Sequence, residues 1–90
     1  MKIYELLDAP EKWTQGAFQR DATGQKCIDS LAAVAWCLTG AYHKCYNKDP
    51  NCERAQHLLS NACGGCVVLW NDAPGRTYQE VIGLCRQLDI

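Results

Sequence analysis

Four sets of residues in this chain could do chemistry. Cys63-Gly-Gly-Cys66 sets two thiols three residues apart, the spacing of half a zinc site or of a redox disulfide. A structural zinc takes four ligands, usually as two such hooks, and His43, Cys45, Cys52 and His57 lie at no knuckle spacing. A redox pair needs a helix N-terminus, where the dipole favours thiolate. The spacing predicts the opposite pole, because Gly64-Gly65 reads as the end of a helix. Buried thiols in a helix-ending turn are the simpler reading, and a zinc- or thiol-dependent module using Cys63 and Cys66 is the alternative.

The second set is Trp70-Asn-Asp-Ala-Pro-Gly-Arg76. Asn71 and Asp72 can bond back to nearby N–H groups and shape an Asx-type turn. Arg76 precedes a helix start, where a guanidinium and orphan N–H groups could hold an anion. A rigid loop with an Asp72–Arg76 ion pair over a packed Trp70 explains the same residues. A small anion- or metabolite-binding enzyme using Asp72 and Arg76 is a second alternative, but no Ser/His/Asp set or carboxylate pair accompanies them.

The third set is Trp13 to Arg20, where Trp13, Gln15, Phe18, Gln19 and Arg20 mix aromatic rings and polar donors as interface hot spots do. The same residues serve a hairpin laid over a core with Trp13 and Phe18 inward, and a free strand edge there could pair with a partner. His43 and His57, the fourth set, read as solvated helix positions or local hydrogen-bonders.

The elements that must position these residues follow from pattern. A short helix around Tyr4–Leu7 stops near Ala9-Pro10. Residues 12–28 read as a β-hairpin turning at Asp21-Ala-Thr-Gly24. Leu31, Val34, Ala35, Leu38, Ala41, Tyr42 and Cys45 form a wide apolar stripe, predicting a central helix over 31–46 capped by Asp29 or Ser30. Gly40 costs about 1 kcal/mol against alanine in mid-helix, so another backbone is expected to approach it closely. Asp49-Pro50 opens a helix over about 50–63. Val67–Trp70 reads as strand or extended chain, 71–76 as a loop, and Thr77-Tyr-Gln-Glu80 as a capping box opening a helix over 77–88. The fold class is α+β: a small, mostly helical single domain over 1–90, with three main helices and an N-terminal β-hairpin.

Composition narrows the function classes. Nine Lys+Arg against ten Asp+Glu, with no two basic residues adjacent, lacks the basic footprint of a nucleic-acid binder. The longest apolar run, Leu31 to Leu38, is far short of the ~20 residues of a membrane span. Acids stand where a signal peptide carries its apolar stretch, so the expectation is a cytoplasmic protein. Seven cysteines are odd in number and, in a reducing cytosol, are thiols first.

Three ordered motifs run along the chain: Trp13-Thr-Gln-Gly-Ala with Arg20-Asp21, Trp36-Cys-Leu-Thr-Gly-Ala41, and Trp70-Asn-Asp with Arg76-Thr77 and Glu80-Val81. Together they resemble a domain family of unknown function, the DUF6197 type, met in bacteria, prophages and phages. The Trp36-Cys37 pair matches that pattern and Cys63-Gly-Gly-Cys66 departs from it. The resemblance supplies no catalytic residues. It implies a phage or mobile-element protein that binds and modulates a host protein, for example an inhibitor of an anti-phage defence such as CRISPR.

The resulting expectation is a non-enzymatic binding protein with no cofactor, no metal, and no nucleic-acid or membrane partner. The surface expected to meet the host protein joins hairpin to loop through Gln15, Arg20, Asp21, Asn71, Asp72 and Arg76.

Overall fold

The apolar faces of four helices converge on one core in the computed structural model, which describes residues 1–90. In chain order the elements are α1 (Ile3–Leu6), a 3-10 turn at Pro10–Lys12, β1 (Gln19–Asp21), β2 (Ala33–Trp36), α2 (Leu38–Tyr46), α3 (Cys52–Ala62), α4 (Val67–Asn71) and α5 (Tyr78–Leu88). The class is α+β and mostly helical, with α2, α3 and α5 as the three main helices. Ile3, Leu7, Leu38, Leu59, Val81 and Ile90 are fully or almost fully buried among them. The chain ends meet: Tyr4 N–H donates to the Ile90 carbonyl at 3.2 Å.

The helix ends with chemical signatures form where expected. Thr77 Oγ1 accepts from Glu80 N–H and the Glu80 carboxylate accepts from Thr77 N–H, a complete capping box on α5. Gly64 and Gly65 take φ of 73° and 102° after α3, and Gly65 N–H closes back onto the Ser60 carbonyl at 2.8 Å. Pro10 opens the 3-10 turn after α1.

The strand pairing and the start of the central helix depart from expectation. The turn at 21–24 exists, with Gly24 N–H on the Asp21 carbonyl at 2.9 Å. The return over 25–28, however, amounts to a single Arg20–Lys26 bridge. The antiparallel partner of β1 is β2, in the register Gln19–Trp36, Arg20–Ala35 and Asp21–Ala33, with an irregularity between Arg20 and Asp21. On its other flank β2 receives Thr14 N–H at the Trp36 carbonyl, 3.0 Å away. The predicted helix over 31–46 therefore begins only at Leu38, because a strand occupies the first part of its apolar run.

The physical reason lies in local competition. Neither Asp29 nor Ser30 caps a helix; Asp29 Oδ1 accepts from Leu31 N–H at 2.9 Å and closes a turn. Cys37 is the actual N-cap, its sulfur accepting from Gly40 N–H at 3.4 Å. Val34 is β-branched and half-exposed between the ladder neighbours Ala33 and Ala35.

Two further points concern helices. Val67–Trp70, read as strand or extended chain, and Asn71, read as the start of a loop, form the short helix α4, since a four-residue apolar run carries no period to separate strand from helix. A turn of helix faces Asn71 inward and leaves Val68 and Leu69 outward. Helix α3 starts at Cys52, slightly later than expected, because Asp49 caps the preceding turn through Asn51 N–H at 2.7 Å. The expectation for Gly40 holds: a Cβ there would drive into the carbonyl of Phe18, with the carbonyl carbon only 2.9 Å away. Glycine lets α2 lie directly on the backbone at Phe18, just before β1.

Candidate functional site

The three sequence motifs converge on one buried side chain, Asn71, which is fully excluded from solvent. Its Oδ1 accepts from the Trp13 indole N–H at 2.8 Å and from Leu38 N–H at 3.1 Å. Its Nδ2 donates to the Thr14 carbonyl at 3.1 Å and to Asp72 Oδ1 at 2.8 Å. Two acceptor and two donor bonds use the whole capacity of a carboxamide. The Leu38 contact satisfies an otherwise orphan N–H of the first turn of α2. One residue at the end of α4 thus ties the Trp13 segment to the start of the central helix.

Around this hub lie three more of the six residues expected at a partner surface. Gln15 Nε2 donates to the carbonyls of Asn71 at 2.9 Å and Ala73 at 3.3 Å. Asp72 Oδ1 also accepts from Gly16 N–H at 3.1 Å. Arg20 spreads its guanidinium over Thr14 Oγ1 at 2.8 Å, the Gln15 carbonyl at 2.9 Å and the Gly24 carbonyl at 3.0 Å. The fork matches three neutral acceptors of the 14–24 segment and meets no carboxylate. These polar groups are largely engaged with one another.

Asp21 and Arg76 lie apart from the hub. Asp21 Oδ1 accepts from Thr23 Oγ1 at 2.5 Å, Thr23 N–H at 2.9 Å and Gln25 N–H at 3.2 Å. The Thr23 hydroxyl and then its N–H hold the Asp21 carboxyl below its ordinary range.

The predicted Asp72–Arg76 ion pair is not formed. Arg76 instead donates to the Trp70 carbonyl at 2.9 Å, pairs with Glu80 at 2.9 Å and lies 3.8 Å from the centre of the Trp70 ring. A pairing four residues along a helix start and a stacked indole suit a planar guanidinium better than a turn toward Asp72. The Thr77 N–H, then the Thr77 hydroxyl and Arg76, keep Glu80 ionised below its ordinary range. An anion at Arg76 would have to displace Glu80.

A model of a family of unknown function, DUF6197, matches residues 2–88. The chain belongs to that family. The match spans every element from α1 to α5, so the DUF6197 unit includes the Asn71 hub and all three motifs. No curated protein and no solved structure matches the DUF6197 chain.

The cysteines of this DUF6197 protein are dispersed through it. All seven are free thiols, and no three His, Cys, Asp or Glu side chains come together in a geometry that could hold a metal ion. Cys63 caps the end of α3 and is buried, and burial pushes its thiol up; Cys66 is exposed and stands before α4. The pair thus has a helix on both sides, where only the preceding one was expected. Cys85, buried near Cys63 and Cys45, is pushed up to about 12 by burial, and Cys45 to about 11. His43 and His57 are exposed on α2 and α3, as expected.

Sequence reasoning named Asn71 and Trp13 without connecting them. The signal was present in the joint occurrence of Trp13-Thr-Gln-Gly and Trp70-Asn-Asp, which contact each other across 58 positions. It also left Phe18 undecided between core and surface. The structure leaves Phe18 60% exposed, with Ile28 fully exposed nearby.

Proposed function

We propose that this chain is a small non-enzymatic binding protein that acts by occupying the surface of a host protein. The observation that carries this reading is the exposed apolar group around Phe18, set on a backbone that is held from two sides. Monomeric proteins rarely expose contiguous apolar patches larger than a few hundred Å² without a use for them. The polar residues of the motifs support the reading differently from the way their composition suggests: they bond to each other and stiffen the scaffold. Gln15, Arg20, Asp21, Asn71, Asp72 and Arg76 then act chiefly by shaping and holding the surface, with their outer edges at its rim.

A phage or mobile-element origin belongs to the same reading, as does action in the host cytosol against an anti-phage defence such as CRISPR. Both rest on the character of the family. No helix is long and apolar enough to cross a membrane, which is compatible with that setting.

Native mass spectrometry of the tagged protein, drawn gently from host lysate without chelator, tests the proposal. The expected result is the mass of the bare reduced chain together with one stoichiometric host protein. A chain carrying zinc, or a bare chain with no companion under conditions where the protein is active, overturns it.

A further inference from the structure

A hollow of about 220 Å³ opens where α2, α3 and the turn into α4 meet. Its polar lining comes as two pairs, each spaced four residues along one helix: Thr39 and His43 on α2, Gln56 and Ser60 on α3. That spacing sets both members of a pair on one face of their helix. None of these four side chains makes a hydrogen bond within the chain. Leu59, buried, and Tyr42 and Val67, half-buried, supply the apolar part of the lining.

The frame of the hollow is fixed by bonds on two sides. The Tyr42 hydroxyl donates to the Cys52 carbonyl at 3.0 Å, tying α2 to the first residue of α3, and Gly65 N–H closes onto the Ser60 carbonyl at 2.8 Å. Of the four hollows of the chain, this one alone is lined by no Lys, Arg, Asp or Glu. Small molecules bind in preformed, partly apolar concavities where a few polar groups converge. Here those groups are unspent and carry no fixed charge of a carboxylate, ammonium or guanidinium.

We infer that this hollow binds a small uncharged ring bearing several hydroxyl groups, the chemistry of a monosaccharide. Hydroxyl, carboxamide and neutral imidazole groups each both donate and accept. Sugar hydroxyls do the same, so each is answered whichever way it turns, and the C–H face of the ring suits Leu59 and Val67. A phosphate or carboxylate would lose water with no Lys or Arg to meet it, and an amine with no carboxylate. The hollow is smaller than the roughly 300–1,000 Å³ of drug-sized sites, so it takes one ring rather than a chain of them. A flat nucleobase calls for a free aromatic face. The Tyr42 ring already lies parallel to Tyr46 and edge to face with His43. The site is separate from the binding of a host protein and does not rest on it.

The test titrates D-glucose, D-galactose, D-mannose and D-ribose into the purified, isotope-labelled full chain and follows its amide NMR signals. The expected result is saturable shifts for at least one sugar at Thr39, His43, Gln56, Ser60 and Gly65, including the Gln56 side-chain amide. Gln56→Ala and Ser60→Ala should each weaken that binding about fivefold, the worth of one neutral hydrogen bond, and Phe18→Ala should leave it unchanged. Thermal melting of each variant checks that the fold is retained. Adenosine and inorganic phosphate are titrated in parallel. Saturable shifts at these residues with either of them and with none of the sugars overturn the assignment of ligand class. No shift with any sugar, shifts confined to other residues, or full affinity in Gln56→Ala and Ser60→Ala overturn the site itself. All of these outcomes leave the host-protein reading to its own experiment.

Discussion

The indole N–H of Trp13 meets the buried oxygen of Asn71 at 2.8 Å, and that oxygen also receives the first N–H of the central helix. Removing the carboxamide strands the Trp13 and Leu38 donors and the Thr14 carbonyl at once. Each buried polar group left without a partner costs about 1–3 kcal/mol, so Asn71→Ala should lose about 3–5 kcal/mol in urea denaturation. Asn71→Asp keeps the accepting oxygens but loses the donor to Thr14 and faces Asp72 with a second carboxylate. It should be more stable at pH 4 than at pH 7, the reverse of ordinary acid weakening. A loss below about 1 kcal/mol for Asn71→Ala would mean that water replaces the hub.

Trp13 and Trp36, bridged side by side at the end of β2, give a sharper comparison. Trp13 spends its N–H on Asn71, whereas the buried N–H of Trp36 has no partner. Trp13→Phe should therefore cost more than Trp36→Phe by about 1 kcal/mol, because only the first breaks a hydrogen bond and leaves an acceptor short. Chemical denaturation of the two variants side by side decides it. Equal losses would show that ring volume alone sets the cost.

Gly40 and Gly83 both lie inside helices and should respond to alanine with opposite signs. A Cβ at Gly83 meets nothing within 4 Å, so Gly83→Ala gains about 1 kcal/mol of helix propensity. At Gly40 it runs into the Phe18 carbonyl, so overpacking of about 1–3 kcal/mol outweighs the same gain. The melting temperature should rise in the first variant and fall in the second. If Gly40→Ala also weakens partner capture more than it lowers the melting temperature would explain, the backbone under Phe18 is the reason.

What could be read from the sequence divides along the range of the interaction that decides each element. The Thr77–Glu80 capping box, the glycine end of α3 and the need for a close approach at Gly40 are written locally and formed, whereas the caps read at Asp29 or Ser30 and at Asp49 close turns or stay unused instead of opening helices. The run Leu31–Leu38 satisfies a helical stripe and a buried strand equally well. What decides is remote: β1 takes Ala33–Trp36 as its partner, and Asn71 accepts the N–H of Leu38. The same holds at the site. Asn71 was visible as a turn former, but its four partners lie on two separate segments, at Trp13-Thr14 and Leu38, besides its own neighbour Asp72. The composition of 71–76 offered Arg76 a bound anion or Asp72, and the Trp70 stack with Glu80, which was not foreseen, takes the guanidinium instead.

Stability at low pH should fall through the carboxylates whose acidity the fold increases. Asp21, held by Thr23, and Glu80, held by Thr77 and Arg76, both ionise below their ordinary range in the folded chain. A carboxyl depressed by folding contributes its stability above its unfolded value and loses it as pH falls through the folded one. The decline should therefore run from about pH 5 downward. Thr77→Val removes the hydroxyl from the capping box, so its loss relative to wild type should be largest near neutral pH and shrink in acid. Melting curves across pH 2–7 check the direction; a difference that grew toward low pH would reverse the sign and discard the Glu80 argument.

The thiols supply the alkaline counterpart and a test of the cysteine reading. Burial raises Cys85 to about 12 and Cys45 to about 11, against an ordinary value of 9.0. A group raised by folding contributes fully below its unfolded value and loses that contribution as pH climbs toward the folded one. The protein should thus weaken between about pH 9 and pH 12, and Cys85→Val should flatten that decline if the packing is kept. In native conditions near pH 8 a maleimide should label the exposed Cys66 first and leave Cys37, Cys63 and Cys85 for denaturant, because those three are buried and need the thiolate to react. Cys66→Ser should then cost almost nothing, and Cys63→Ser about 1–3 kcal/mol through lost burial. If instead both changes unfold the protein and added zinc restores it, the thiols act as ligands and the packing account fails.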